Sequence, residues 1–515
     1  MNGAESLVRT LHGAGVSVCF ANPGTSEMQF VDALDRTGSM RCILGLFEGV
    51  VTGAADGYAR MAKVPAVTLL HLAPGFANGA ANVHNAKKAR TPMINLVGDH
   101  ATYHLKYNAP LTADLEGAVA PFSDWVRTAT TAETIGRDGA EAVAAAMSGP
   151  GRIATLLAPS DTGWNEGGVV AAPVEPEPLA AYDPAALDAA IAMLESGEPT
   201  LIYFSGAALE DPALTGLLSA IADKTGAKLL SPTSNRRIER GAGRPRVDKL
   251  FYAVDLALEQ LRPYRNVILI GAPEPVAFFA YPDKPSVLLP EAARRLTLAT
   301  SEEDGVAAIR ALADRLGVSR PVIVDAPRPI PPKAGSITYE ALAAAVAAAL
   351  PEGAIVADEG ITVGRGIYAA TTGSAPMSWI AITGGSIGIG PPLATGAAVA
   401  CPDRPVVALQ ADGSSMYTIQ ALWTQARENL NVTTVIFANR SYEVLKQELY
   451  KVGANPGRGA LDMLEIDRPA LDFVALARGM GVPAKRVEDA AELCRTIADA
   501  TKEPGPFLIE AMVDD

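Results

Sequence analysis

Short apolar runs rich in β-branched residues recur along the chain, each closing on a turn and followed by an Ala-rich stretch of helical character. VSVCFANPG, CILGLFE, AVTLLHLAPG and MINLVGDH make a first group. PTLIYFSG, AKLLSP and NVILIGAP make a second, and AIVADEG, PVVALQADG and TTVIFANR a third. Strand alternating with helix predicts a parallel sheet covered by helices, so the expected fold class is α/β, with three doubly wound parallel-sheet domains. Two Pro-rich stretches separate the blocks. VVAAPVEPEPLAAYDP (Val169 to Pro184) and VDAPRPIPPKAG (324–335) sustain neither helix nor central strand, and they suit semi-rigid connectors. The domains are accordingly expected over residues 1–168, 185–320 and 335–515.

In open parallel sheets, ligands sit outside the carboxyl ends of the strands. Glu48, His71, Asp412 and Asn439 all fall at such expected ends. PVVALQ runs into Asp412, Gly413, Ser414 and Ser415, and the next apolar run stops on Asn439, 27 residues after Asp412. That spacing predicts one site built from two strand ends. A helix opening directly after Asp-Gly-Ser (SMYTIQALWTQAREN) would present N–H groups and hydroxyls that favour phosphate. Asp412 would repel that phosphate unless a cation lay between them. Asn439 completes a hard oxygen-ligand set suited to Mg2+ bridging a diphosphate. A helix N-cap aspartate and an unrelated turn asparagine would leave the same pattern.

Bulk properties narrow the classes. The 515 residues are 49% hydrophobic and 19% charged, enough to bury a large core and too apolar for disorder. The net charge of −14 argues against nucleic acid or an anionic membrane as the main partner. Cys19, Cys42, Cys401 and Cys494 lie far apart with no C-x-x-C pair, which fits scattered thiols in a reducing compartment better than a disulfide framework or a zinc cluster. MNGAESLVRTLHGAG lacks a basic segment followed by an apolar one, so no secretory signal is expected. GSIGIGPPLATGAAVA is apolar, but Pro391 and Pro392 interrupt it; a buried helix start is expected and not a membrane span. A cytoplasmic protein follows as the default.

The segment ADGSSMYTIQALWTQARENLNVTTVIFANRS resembles the diphosphate-binding motif of thiamine diphosphate (ThDP) enzymes, Gly-Asp-Gly followed after about 26 residues by Asn-Asn. The resemblance implies metal ligands at Asp412, Asn439 and the main-chain carbonyl of Ser441. Ala411 and Ala438 depart from the pattern at positions that supply no ligand. LGLFEGVVTGAADGYARM is similar to the surroundings of the family's activating glutamate, which makes Glu48 the carboxylate for N1′ of the aminopyrimidine. TGGSIGIGPP resembles the segment that supports that ring, with the Gly385 carbonyl accepting from N4′ and Ile387 wedged between the two rings. Thr362, after VADEGIT, would add a phosphate contact. The likeness runs over essentially the whole chain, in the order pyrimidine-binding, middle and diphosphate-binding domain of the acetohydroxyacid synthase, benzoylformate decarboxylase and pyruvate oxidase group. It implies a homodimer or homotetramer with the site at the subunit interface.

FANPGTSEMQF resembles the N-P-G-S signature of benzoylformate decarboxylases, with Thr25 at the serine, and TLLHLAPGFANG places His71 at that family's catalytic histidine. A hydroxyl and an imidazole there would position a 2-oxo acid and move protons after CO2 leaves. A helix N-cap at Thr25 and a satisfied strand-end His71 are the plain alternatives. Departures are specific: Phe278 and Phe279 stand near the family's second histidine, Leu445 where pyruvate decarboxylases carry a glutamate, and Leu111 where acetohydroxyacid synthases carry a glutamine. FAD-binding features are not recognisable, so FAD is not expected. Val444, Glu448, Phe278 and Phe279 are candidate pocket walls. The expected activity is non-oxidative decarboxylation of a small 2-oxo acid with carboligase activity. Acetolactate-synthase-type carboligation, a 2-hydroxyacyl-CoA lyase or oxalyl-CoA decarboxylase activity, and a catalytically silent ThDP binder are the alternatives.

Overall fold

A computed structural model of the chain describes residues 1–319 and 326–514; the first two residues of the second Pro-rich connector, 324 and 325, lie outside them. The first sheet holds β1 (Val18–Ala21), β2 (Arg41–Leu44), β3 (Val67–Leu70), β4 (Met93–Asp99), β5 (Trp125–Thr128) and β6 (Ile153–Pro159). All are parallel, in the spatial order β2-β1-β3-β4-β6-β5. The next strands are β7 (Thr200–Phe204), β8 (Lys228–Ser231), β9 (Ile238–Arg240), β10 (Asp248–Lys249), β11 (Asn266–Ile270) and β12 (Arg294–Ala299). Without β9 they form a parallel sheet ordered β10-β8-β7-β11-β12. The third sheet holds β13 (Ile355–Glu359), β14 (Met377–Ala381), β15 (Val406–Ala411), β16 (Val432–Ala438), β17 (Ala484–Val487) and β18 (Phe507–Met512), ordered β17-β18-β16-β15-β13-β14. Here β9 adds an antiparallel edge to β14, so a segment from the middle of the chain closes the last sheet.

Each of the ten apolar runs overlaps one of these strands, and the three helix-covered parallel sheets are those the alternation predicts. Strands such as β4, β6 and β16 are buried at every position, which is why they read as unbroken apolar runs and not as alternating ones. Counted from its own first strand, the third sheet repeats the order of the first: second, first, third, fourth, sixth, fifth. Both therefore reverse direction between their first and third strands, and that switch point opens a crevice at the carboxyl edge.

Helices Glu48–Ala62 and Gly390–Ala400, each following the second strand of its sheet, pack on one another. Val51, Ala54, Ala55 and Tyr58 meet Ile389, Leu393, Ala394 and Ala397 in one buried cluster. The approach is close because two positions carry no side chain. A Cβ on Gly57 would fall on the Leu393 carbonyl oxygen, and one on Gly396 on the Ala54 carbonyl oxygen. Among the described residues no helix is long and apolar enough to cross a membrane.

Adding a methyl group at this contact forces main chain against main chain. Gly57→Ala is expected to destabilise the protein by about 3 kcal/mol, the upper end of the overpacking range. Urea unfolding of the purified variant against the parent protein measures it.

Candidate active site

At the switch point of the first sheet, the turns after β1 and β3 meet. His71 follows β3 and its Nδ1 lies 2.8 Å from Glu27 Oε2, on the turn after β1. Glu27 is fully buried, and its carboxylate also accepts from the Gly24 N–H (2.8 Å) and the Ser26 hydroxyl (2.5 Å). A carboxylate can only accept, so Nδ1 of His71 is the protonated nitrogen and Nε2 is left for other work. The hydroxyl beside the imidazole belongs to Ser26, 3.1 Å from Nδ1. Thr25, the residue expected there, opens the short turn with an exposed side chain. Gly24, not Thr25, is the N-cap of that turn. Leu72, directly after His71, sits at φ +53, a left-handed conformation that turns the chain sharply as the helix begins.

Glu48 is the first residue of helix Glu48–Ala62 and 9% exposed. That position suits a carboxylate, because the first-turn N–H groups and the helix dipole face it. Its Oε2 accepts from Asn78 Nδ2 at 3.1 Å. Glu48 and His71 flank Gly75, where a Cβ would stand 3.2 Å from Glu48 Oε1 and 3.3 Å from His71 Cβ. The first domain thus brings Glu48, His71, Glu27 and Ser26 to one edge.

At the equivalent edge of the third sheet, Asp412 and Asn439 directly follow the adjacent strands β15 and β16. The Arg440 N–H reaches Asp412 Oδ2 (2.6 Å) and the Gly413 N–H reaches Oδ1 (2.7 Å), while the Ser441 N–H meets Asn439 Oδ1 (3.3 Å). Asp412 is 2% exposed and is met by no basic side chain among the described residues. Burial pushes its carboxyl up to about 6 against the opposing pull of those N–H groups. Arg440 adopts φ +58 between Asn439 and Ser441, and Ile361 φ +45 just before Thr362. Left-handed backbone is costly for a β-branched residue, and both cases lie at strand ends that carry candidate ligands. Thr362 Oγ1 is buried without a hydrogen-bond partner.

Two expectations here are corrected. The helix after Asp412 is interrupted: Asp412–Ser415 forms one turn, and a regular helix resumes only over Ala421–Arg427. The Thr418 hydroxyl donates to the Gly388 carbonyl (2.6 Å), pulling the chain out of line between them. Ser414 and Ser415 also turn inward, donating to the carbonyls of Ala411 (3.2 Å) and Asp412 (2.6 Å). The turn can therefore present main-chain N–H groups to an anion, but not those two hydroxyl protons. Gly413 is required because a Cβ would run into the Tyr442 ring.

The segment 383–390 leads from β14 into helix Gly390–Ala400. Asn85 holds it from the first domain: its Oδ1 accepts from the N–H groups of Gly384 (3.0 Å) and Ser386 (3.2 Å), and its Nδ2 donates to the Ser386 carbonyl (2.7 Å). Gly385 has φ +74, is exposed, and is overlain by the Phe278 ring, whose Cζ would lie 2.6 Å from an added Cβ. Ile387 is half-buried. Glu359, which sequence reasoning did not single out, supports the same segment from the end of β13. Phe279 stacks edge-on against Phe278 at 5.0 Å between ring centroids. Glu448 accepts from the Tyr281 hydroxyl (2.6 Å), which ties helix Glu443–Lys451 to the middle domain, and pairs with Lys451 of the same helix (2.8 Å), while Val444 is half-buried on that helix.

The expected residues thus gather into two groups, one at the edge of the first sheet and one at the edge of the third. Helix Leu72–Lys88 serves as a ruler, because Glu48 is bound through Asn78 and segment 383–386 through Asn85. Seven residues of helix correspond to roughly 10 Å of rise. Between them lies a further pair that sequence reasoning missed, Asp56 and Arg60, both with fully buried side chains. Two bonds join them (2.6 and 2.8 Å), and Arg60 also donates to the Ala381 carbonyl (2.6 Å) and Thr383 Oγ1 (3.1 Å). The i,i+4 spacing was a readable signal, though not one that could be told from a surface pair.

Comparison with known proteins bears on both halves. Residues 1–119 match the family model for the N-terminal TPP binding domain of thiamine pyrophosphate enzymes, and 366–511 match that for the C-terminal TPP binding domain. The chain is 50% identical to "Putative acetolactate synthase large subunit IlvX" of Mycobacterium tuberculosis, over 100% of this chain and 99% of the relative. It is 27% identical to benzoylformate decarboxylase of Pseudomonas aeruginosa, over 98% of each. Among solved structures it shares the fold of the thiamine diphosphate-dependent 4-hydroxybenzoylformate decarboxylase of Rhodococcus jostii RHA1, with a TM-score of 0.86, 24% identity, and coverage of 100% of this chain and 99% of that one.

Removing one member of the Asp56–Arg60 pair leaves a buried charge. Asp56→Asn is expected to cost about 3–5 kcal/mol in urea unfolding, and joint replacement of both by apolar residues markedly less.

Proposed function

The chain belongs to the thiamine pyrophosphate enzyme family, and from that premise we propose that it catalyses the Mg2+-dependent, non-oxidative decarboxylation of a 2-oxo acid, with carboligase activity. The observation that carries this reading is the His71–Glu27 pair at the first switch point, an imidazole held by a buried carboxylate.

The residues present suit the coenzyme. Asp412 is a buried acid with no cationic side chain on it among the described residues, and Asn439 follows the adjacent strand; this is the donor set a magnesium diphosphate asks for. Asp412, Asn439 and the Ser441 carbonyl would hold the Mg2+. The orphaned Thr362 hydroxyl and the N–H groups of the Gly413–Ser415 turn would meet the diphosphate. Gly385 and Ile387 would support the aminopyrimidine of that coenzyme, and Glu48 would face the ring from a second copy of the chain. On this reading a homodimer is the smallest complete unit, with each Glu48 serving the coenzyme held by the other copy. Bound there, the coenzyme supplies a nucleophilic carbon and an electron sink for breaking the bond next to a carbonyl.

The chain's own residues handle the proton and the substrate. Glu27 fixes the His71 ring and its tautomer, so Nε2 can hold a proton and deliver it to the substrate-derived carbon once CO2 has left. Ser26 steadies the same carboxylate. Phe278 and Phe279, both about half exposed in the single chain, would offer an apolar surface beside Gly385 to the substrate. Carboligation to a second 2-oxo acid is the second reading. It is supported by the likeness to the Mycobacterium tuberculosis relative, and Leu111, where acetohydroxyacid synthases carry glutamine, weighs against it.

Incubation of the ThDP- and Mg2+-loaded protein with a panel of 2-oxo acids, followed by CO2 release and mass spectrometry, is expected to yield the aldehyde. Acetolactate from pyruvate would install the second reading, and no product from any 2-oxo acid, acyloin or hydroxyacyl-CoA would refute the proposal. His71→Ala is expected to lower turnover by about 100-fold or more while ThDP binding, followed by calorimetry, persists. Glu48→Gln should behave likewise.

A further inference from the structure

Glu359 closes β13 at the switch point of the third sheet, 1% exposed. Its neighbour in register on β15 is Gln410. One carboxylate oxygen accepts from the Gly388 N–H and the other from the Gly390 N–H, both at 2.6 Å, and Gln410 Nε2 adds a third bond at 3.1 Å. Among the described residues no basic side chain pairs with it. Burial pushes its carboxyl up to about 7, against the pull of the Gly390 and Gly388 N–H groups and of Gln410. An acid in such a place is costly and persists only where its hydrogen bonds are needed.

What those bonds hold is the inner side of the glycine-rich turn that leads into helix Gly390–Ala400. Gly385 and Gly388 both have positive φ, +74 and +92, and neither has a side chain to anchor it. The turn is gripped on the outside by Asn85 at residues 384 and 386, and from below by the Thr418 hydroxyl on the Gly388 carbonyl. The N–H groups of Gly388 and Gly390 point the opposite way, into the sheet, where Glu359 receives both. Two acceptors on one rigid carboxylate fix the spacing of residues 388 and 390, and so the direction in which residues 385–387 leave the fold.

We propose that Glu359 is a positioning residue, whose carboxylate sets the Gly385–Ile389 turn in the conformation that presents the Gly385 carbonyl and the Ile387 side chain to the aminopyrimidine end of the coenzyme. This rests on the reading of that turn as the ring support. Gln410 completes the brace: its Nε2 also donates to Ser414 Oγ (2.6 Å), which keeps the carboxylate in place from the neighbouring strand. Glu359 itself touches neither substrate nor coenzyme.

The test separates the two ends of the coenzyme. The full-length protein and its Glu359→Gln variant are titrated with ThDP plus Mg2+, and separately with magnesium pyrophosphate, which reports on the diphosphate end alone. In the variant an amide N–H2 faces a main-chain N–H, so ThDP affinity is expected to fall about tenfold or more. Pyrophosphate affinity should fall several-fold less than ThDP affinity, because the Asp412–Ser415 turn keeps its own bonds to the Ala411 and Asp412 carbonyls when Gln410 shifts. Equal loss with both probes would mean that Glu359 merely stabilises the domain, and unchanged ThDP affinity would mean that it positions nothing; either overturns the inference alone. Wild-type protein that binds pyrophosphate but not ThDP would instead remove the underlying reading of the turn and the inference with it. If Glu359→Gln does not fold, Glu359→Asp, which keeps the charge and withdraws its reach, takes the same titrations with the same expected split.

Discussion

The close contact between helices Glu48–Ala62 and Gly390–Ala400 is the constraint on which the rest of the molecule depends. Each helix follows the second strand of a sheet with the same strand order, and each begins at a candidate functional element, Glu48 in one case and the Gly385–Ile389 turn in the other. Fixing the helices against each other therefore fixes both half-sites in one frame. Apolar burial supplies the attraction but has no preferred direction. Direction comes from main chain meeting main chain at Gly57 and Gly396, and from Arg60, whose guanidinium spans Asp56 and the Ala381 carbonyl. A buried ion pair is a poor source of stability, and its value here lies in registering one domain on the other.

The same economy of placement governs the chemistry. The first and third sheets both reverse direction between their first and third strands, and each puts its least comfortable residues there. The first holds the buried Glu27 beside His71; the third holds Asp412 and Glu359, both lifted by burial. Left-handed backbone at Leu72, Ile361 and Arg440 falls next to His71, Thr362 and Asn439. Strain of this kind persists where surrounding structure over-determines it, and here it falls beside the candidate site residues.

Much of this was legible in the chain itself. Strands buried on both faces announce themselves as unbroken apolar runs, and a polar residue that ends such a run must lie at a sheet edge, so Asp412 and Asn439 could be placed together before any coordinates. What stayed hidden depends on partners distant in sequence. Glu27 becomes a histidine partner only because β1 and β3 are neighbours, which places it against a residue 44 positions away. The choice between the consecutive hydroxyls of Thr25 and Ser26 is made by the turn geometry, not by composition. Glu359 in ADEG reads as an ordinary strand-end acid until the fold brings two glycine N–H groups onto it. Strand β9 is three residues long, and only its antiparallel seat on β14 makes it a strand at all.

Charge explains why the proposed coenzyme would need its metal. The protein carries a net charge of −14, and around the third-sheet crevice the buried acids Asp412 and Glu359 are balanced by main-chain N–H groups, with no lysine or arginine paired to either among the described residues. N–H groups already engaged by a carboxylate do little to offset the repulsion between that carboxylate and a diphosphate beside it. Two like unit charges 4 Å apart repel by roughly 4 kcal/mol at the effective dielectric of a partly buried site, and a diphosphate brings more than one. A divalent cation reverses the sign of that interaction and takes oxygen ligands of the type that Asp412, Asn439 and the Ser441 carbonyl present. On the proposed reading, metal and diphosphate enter as one unit, because the crevice is too acidic to accept the anion alone and too sparse in ligands to retain the cation alone.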